Sequence, residues 1–173
     1  MRGSARKRPH ILVAGLGNVL LQDDGVGIHV VRALQQDAPP GVCVAEVGTA
    51  VLDALHLFEW ADYILAIDAM QAGGTPGAIY RFGTHQVQQG GIQTSLHELS
   101  LVSALRFIPE AVNPEITIIG VEPECIDYNL ELSPSVARAV PFVVQAIREI
   151  TMAWQLPAVR VATVKGTHYV RTR

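Results

Sequence analysis

The sequence predicts a single three-layer α/β/α domain with a mostly parallel, five-stranded sheet. Apolar segments of strand length alternate with segments of helical period, an order typical of parallel sheets that are covered by helices on both faces. The 173 residues, 49% of them hydrophobic, are enough for one core. A glycine-rich turn follows the first apolar segment, as in many folds in which a buried strand leads into a helix.

Five strands are predicted, each from a short apolar run. They span residues 11–14, 42–47, 63–68, 77–82 and 116–121. A short Gly/Pro segment joins the third strand to the fourth and leaves no room for a crossover helix. The fourth strand is therefore expected to run antiparallel at one edge of the sheet.

Four helices are predicted from apolar residues at helical spacing. They span residues 26–34, 51–60, 97–107 and 133–154, and a Gly/Gln-rich connector at residues 83–94 precedes the third. Ser133 and Pro134 supply an N-cap and a first-turn proline for the last helix. Pro141 is expected to kink that helix or to split it in two.

Both ends of the chain are basic, whereas its middle is acidic. Residues 1–9 are interpreted as a flexible basic leader or tag, residues 157–173 as a basic tail, and residues 10–156 as the domain. Residues 11–156 hold all 16 acidic residues but only 5 of the 13 basic ones, a formal charge of −11. Such an acidic body argues against a nucleic-acid partner. With no membrane-spanning run and no signal peptide, a cytoplasmic protein is expected.

The turn at residues 15–27 carries the strongest functional signal. A glycine turn between strand and helix usually binds an anion through its amide hydrogens, but here Asp23 and Asp24 stand where the anion would lie. Two carboxylates favour a cation instead. One of them also suits capping of the first helix, which is worth roughly 0.3–1 kcal/mol.

Two more candidate metal ligands are predicted near this turn. Ligands gather beyond the carboxyl ends of parallel strands; Asp68 ends the third strand, and His97 follows the connector. With Asp24 they form a carboxylate–imidazole set that suits a divalent transition metal with open positions. Taken singly, Asp68 also suits a turn and His97 an exposed or capping position.

Two other readings of the sequence are less favoured. Gly15 and Gly17 begin a dinucleotide-binding fingerprint and Glu46 suits a ribose contact, but Leu20 replaces the third glycine and the acidic pair opposes a pyrophosphate. Covalent catalysis lacks a nucleophile, because Cys43 is expected to be buried in a strand and no Gly-x-Ser-x-Gly motif occurs.

The turn resembles that of the hydrogenase maturation endopeptidases, which trim the C-terminus of nickel–iron hydrogenase large subunits. That family begins with a strand, Gly-x-Gly-Asn, a leucine, and an Asp-Asp or Asp-Glu pair before Gly-x-Gly. The matching residues here are Gly15, Gly17, Asn18, Leu20, Asp23, Asp24, Gly25 and Gly27. The resemblance continues in order through residues 48–49, 67–69, 76–77, 97, 103–105, 119–123 and 132–134.

The resemblance implies a metal-binding trio of Asp24, Asp68 and His97, with Asp24 and Asp68 also catalytic. Many family members have glutamate where this chain has Asp24, and the shorter side chain is expected to draw the metal inward or to need a bridging water. Asp23 is then expected to cap the helix or to support the site.

The implied reaction is hydrolysis of one peptide bond in a nickel-loaded large-subunit precursor, just after its C-terminal metal-binding motif. Nickel, or another divalent metal, is expected to be weakly held and to arrive with the substrate. Either the metal polarises the carbonyl or activates water, or it positions the bond while an aspartate acts as general base, as in an aspartyl protease. Two alternatives remain open: a non-catalytic nickel-binding chaperone on the same fold, and a related endopeptidase acting on a different protein.

Overall fold

The computed structural model describes residues 8–83, 112–156, 160–163 and 166–169, and five strands form its main sheet. In chain order these are β1 (Ile11–Leu16), β2 (Val42–Gly48), β3 (Tyr63–Ala69), β4 (Ile79–Gly83) and β5 (Glu115–Val121). Their order in space is β2-β1-β3-β5-β4. All neighbours are parallel except β4, which is antiparallel to β5 at the edge. The predicted fold class and the antiparallel edge strand are confirmed.

Helices cover both faces of this sheet. Helix α1 (Val26–Gln35) and helix α3 (Pro134–Gln155) pack on one face, and the short helix α2 (Leu55–Trp60) packs on the other. Short 3₁₀ turns, Gln22–Gly25 and Val51–Ala54, lead into α1 and α2. The helix predicted at residues 97–107 and most of the connector before it lie outside the described residues.

Burial on both faces explains why β1, an interior strand of the sheet, is a continuous apolar run. Successive side chains of a strand point to opposite faces. In β1, Ile11 and Val13 pack with α1 and α3, whereas Leu12 and Ala14 pack with α2. Every residue of β1 is buried, as is typical of parallel strands between two helical layers.

Helix α3 continues through Pro141, so the predicted alternative of a split helix is wrong. The hydroxyl of Ser133 accepts a hydrogen bond from the Val136 amide and caps the helix as predicted. Proline inside a helix removes one hydrogen bond and costs about 3 kcal/mol. Burial of the apolar face of α3 offsets that cost. The buried residues of this helix are Val136, Ala139, Val143, Ile147, Ile150, Thr151 and Trp154.

The basic C-terminal stretch contains two short strands that the sequence did not predict. They are β6 (Arg160–Thr163) and β7 (Gly166–Tyr169), and they pair antiparallel as a separate two-stranded sheet. Over the parts of the chain that the structure describes, no helix combines the length and the apolar character that crossing a membrane requires.

Candidate active site

Strand β1 ends in a turn whose tight packing depends on glycine. Gly17 has a φ of 103°. A Cβ at this position would collide with the carbonyl oxygen of Asp24 and lie 3.5 Å from Oδ1 of Asp68. At the start of α1, a Cβ on Gly27 would collide with backbone atoms of both β1 and β3. Only residues without side chains therefore let the turn approach both strand ends so closely.

The structure brings Asp24 and Asp68, here called the aspartate pair, to this turn. Asp24 is nearly buried, and its Oδ2 accepts a hydrogen bond from the Asn18 amide at 2.8 Å. Asp68 is fully buried at the end of β3, and its Oδ1 accepts a hydrogen bond from the Ala69 amide at 2.9 Å. These bonds orient both carboxylates beside Gly17. Their roles as ligands and catalysts remain predictions.

The third predicted ligand, His97, lies outside the described residues. Within the described ranges, no group of three or more His, Cys, Asp or Glu side chains has the arrangement of a metal site. Carboxylate oxygens suit divalent cations, but a catalytic transition-metal site usually has three protein ligands. The aspartate pair alone supplies two such ligands, and the predicted third, His97, lies outside the described residues.

Asp23 does not cap a helix, so that prediction is wrong. Neither the Gln22–Gly25 turn nor α1 has a side-chain cap. The fully buried carboxylate of Asp23 instead accepts three backbone hydrogen bonds. Its Oδ2 accepts from the amides of Glu124 at 2.9 Å and Cys125 at 3.0 Å, and its Oδ1 accepts from the amide of Ser133 at 2.7 Å. Support of the site remains the other predicted role of Asp23.

The segment that follows β5 lies directly against the turn. Residues 124–132 are here called the rim loop. The Gln22 amide donates to the Asn129 carbonyl at 2.8 Å, and the Asn129 amide donates to the Leu20 carbonyl at 3.1 Å. The Asp23 amide also donates to the Cys125 carbonyl. The rim loop and the turn therefore form one hydrogen-bonded surface beside the aspartate pair.

Glu122 is a second buried carboxylate with a structural role. Its Oε2 accepts from the Ala72 amide at 2.9 Å and from the Tyr80 hydroxyl at 2.8 Å, and its Oε1 accepts from the Gly73 amide at 3.2 Å. Burial raises the pKa of Glu122, but these bonds and one from the Gly74 amide outweigh burial, so its pKa lies below the ordinary value. Glu122 thereby holds the loop that follows β3. The sequence indicated this residue only as part of a family motif.

We expect Tyr80→Phe to raise the pH at which the protein unfolds in acid. Because the pKa of Glu122 is lowered on folding, its stabilising contribution is present above its ordinary value of 4.5 and is lost as the pH falls through the folded-state pKa. Without the Tyr80 hydroxyl, that folded-state pKa rises and the loss begins at a higher pH. Circular dichroism during acid titration measures the midpoint.

Tyr128→Phe is the matched control for this titration, because Tyr128 is exposed on the rim loop and its hydroxyl is not among the bonds to Glu122. Equal acid midpoints for Tyr80→Phe and the wild type would contradict the assigned role of Glu122.

The structure also shows the surroundings of Glu46 and Cys43, the residues considered for dinucleotide binding and for covalent catalysis. Glu46 is exposed and accepts two hydrogen bonds from the Arg32 guanidinium, at 3.1 and 2.8 Å. Both oxygens of the carboxylate that was considered for a ribose contact are therefore bonded to Arg32. Cys43 lies in β2 as predicted, where it is half-buried and packs against the core, and Cys125 is exposed in the rim loop.

The chain is similar to several proteins that are named for hydrogenase maturation. The family model HycI, hydrogenase maturation protease, matches residues 28–150. The hydrogenase expression/formation protein HupD of Rhodobacter capsulatus is 32% identical over 170 residues, which cover 94% of this chain and 80% of HupD. The hydrogenase 2 maturation protease of Escherichia coli K12 is 33% identical over 150 residues, covering 80% of this chain and 91% of that protein.

A solved structure supports the same assignment. The hydrogenase maturating endopeptidase HybD from E. coli matches with a TM-score of 0.73 and 28% identity, over 83% of this chain and 92% of HybD. Because these relatives are proteases and endopeptidases, this α/β domain is a peptidase. The chain belongs to the hydrogenase maturation protease family.

Proposed function

We propose that this protein cleaves one peptide bond in a nickel-loaded precursor of a nickel–iron hydrogenase large subunit and so releases its C-terminal extension. One observation carries the proposal: a chain of the hydrogenase maturation protease family brings Asp24 and Asp68 together at the Gly17 turn. Asp24 lies beyond the carboxyl end of β1 and Asp68 at the carboxyl end of β3, the edge of the sheet where α/β proteins bind their ligands.

Recognition is the first task of the aspartate pair. Nickel belongs to the substrate, and the two carboxylates, with His97 as a third ligand, attract and hold it. This contact places the scissile bond beside the turn. Fixing a reacting bond next to a catalytic group removes much of the entropic barrier to reaction.

Proton transfer is the second task. A carboxylate of the pair takes a proton from water while the water oxygen bonds to the scissile carbonyl carbon. The carbon–nitrogen bond then breaks, and the proton passes to the leaving amine. In this scheme the aspartate pair serves both recognition and general-base catalysis, and the protein needs no covalent nucleophile.

A cleavage assay with purified components tests the function. The protein is incubated with the large-subunit precursor of its own organism, either loaded with nickel or nickel-free, and the products are measured by mass spectrometry. We expect a shortened large subunit and a released C-terminal peptide only with the nickel-loaded precursor. A stable complex without cleavage would contradict the proposal and favour a chaperone, and equal cleavage of both precursors would contradict recognition through nickel.

A further inference from the structure

Four large apolar side chains are exposed around the proposed site. Leu20 on the turn is 45% exposed, and Ile126, Tyr128 and Leu130 on the rim loop are 43%, 78% and 62% exposed. We call these four side chains the apolar rim. Single exposed apolar residues are normal on protein surfaces, but these four lie on two segments that are hydrogen-bonded to each other. Grouped apolar exposure of this kind is typical of interaction sites.

The rim loop is held in place before any partner binds. Asp23 accepts three of the hydrogen bonds that anchor its two ends, and Asn129 pairs with the turn in its middle. A preorganised surface loses less conformational entropy on binding than a flexible one. The apolar rim is therefore suited to contact a large partner.

The turn and the rim loop, which carry the apolar rim, contain acidic side chains and no lysine or arginine. Glu124, Asp127 and Glu131 are exposed on the rim loop. Residues 9–31 and 112–137 contain no lysine or arginine. A partner that meets this surface favourably combines apolar with basic side chains, because like charges across an interface are repelled.

We propose that the apolar rim and its three acidic side chains are the docking surface for the precursor. The part of the precursor that binds there is the segment next to the scissile bond, and we expect this segment to carry apolar and basic residues. This inference rests on the proposed function, because it takes the precursor as the partner. The docking surface adjoins the proposed site, since Leu20 and Asp24 belong to the same turn. A peptide bond held at Asp24 brings its flanking chain across the rim loop.

Exposed apolar variants at matched positions test the docking surface. Leu130→Ser and Tyr128→Ser alter the rim, and Leu156→Ser is the control. Leu156 is 63% exposed, close to the value for Leu130, and it follows the far end of α3, a 22-residue helix about 33 Å long. Kinetics of precursor cleavage and the affinity for nickel-loaded precursor are measured for each variant, with thermal unfolding as a check of folding.

For each rim variant we expect roughly a tenfold increase in KM and in the dissociation constant, with kcat nearly unchanged, as is typical of loss of a central interface contact. Leu156→Ser is expected to behave as the wild type. Glu124→Gln combined with Glu131→Gln is expected to slow association and to weaken its dependence on salt.

Three outcomes separate this inference from its alternatives. Equal affinity and KM for the rim variants and Leu156→Ser would overturn it. If the wild type binds the precursor but does not cleave it, the proposed function fails, while the binding data still decide the docking surface. If the rim variants abolish self-association in sedimentation experiments and leave precursor binding intact, the surface belongs to a second copy of this chain and the inference is wrong.

Discussion

Asp24→Asn and Asp68→Asn are each expected to reduce precursor cleavage by about a thousandfold, because each removes a charge that acts at the reacting bond. Asparagine keeps the size of aspartate and retains an oxygen to accept the hydrogen bond from Asn18 or Ala69. The fold should therefore survive. Single-turnover cleavage of nickel-loaded precursor measures the effect, and thermal unfolding confirms that the variants are folded.

The same experiment includes two further variants. His97→Ala is expected to lose cleavage as completely as the aspartate variants, since it removes the third proposed ligand. Asp53→Asn is the control, because Asp53 is exposed on the 3₁₀ turn before α2, and it should cleave at the wild-type rate. Wild-type rates for Asp24→Asn, Asp68→Asn and His97→Ala together would rule out the proposed site.

Asp23→Ala is expected to lower the free energy of unfolding by about 3–5 kcal/mol. The substitution leaves the amides of Glu124, Cys125 and Ser133 without their charged acceptor, and hydrogen bonds to charged groups contribute about 1.5–3 kcal/mol each before the structure relaxes. Asp23→Asn keeps one acceptor oxygen and should lose less. Denaturant titration gives the free energies.

A control on the same surface separates this loss from a general effect of removing an acid. Asp127 is exposed and accepts a hydrogen bond from the neighbouring Tyr128 amide, so Asp127→Ala should cost less than about 1 kcal/mol. Hydrogen exchange should accelerate in the rim loop of Asp23→Ala more than in β1 and β3. Similar losses for Asp23→Ala and Asp127→Ala would show that the three bonds do not anchor the loop.

Much of the fold could be predicted because its signals are local. Parallel strands buried on both faces are short apolar runs, and β1 and β3 are almost completely buried. The antiparallel β4 followed from the short connection after β3. Strand ends also indicated Asp24 and Asp68 as neighbours, since the carboxyl ends of parallel strands meet at one edge of the sheet.

The incorrect predictions share a different cause. Capping by Asp23 is a local rule, but the carboxylate binds amides that are 101 to 110 residues away. A break at Pro141 is also a local rule, and the buried face of α3 outweighs it. The anchoring role of Glu122, which was not predicted, likewise depends on distant groups, namely Tyr80 and the loop after β3. These contacts exist only after the chain has folded.

By itself, the sequence determined the layered fold, the family resemblance and a turn that carries two adjacent carboxylates. Only the tertiary structure showed which groups each of the two carboxylates contacts. Asp24 accepts a hydrogen bond from Asn18, six residues away, and stays beside Gly17 and Asp68. Asp23 is drawn away from that site, because the backbone amides of the rim loop and of Ser133 meet it only when β5 and α3 are in place.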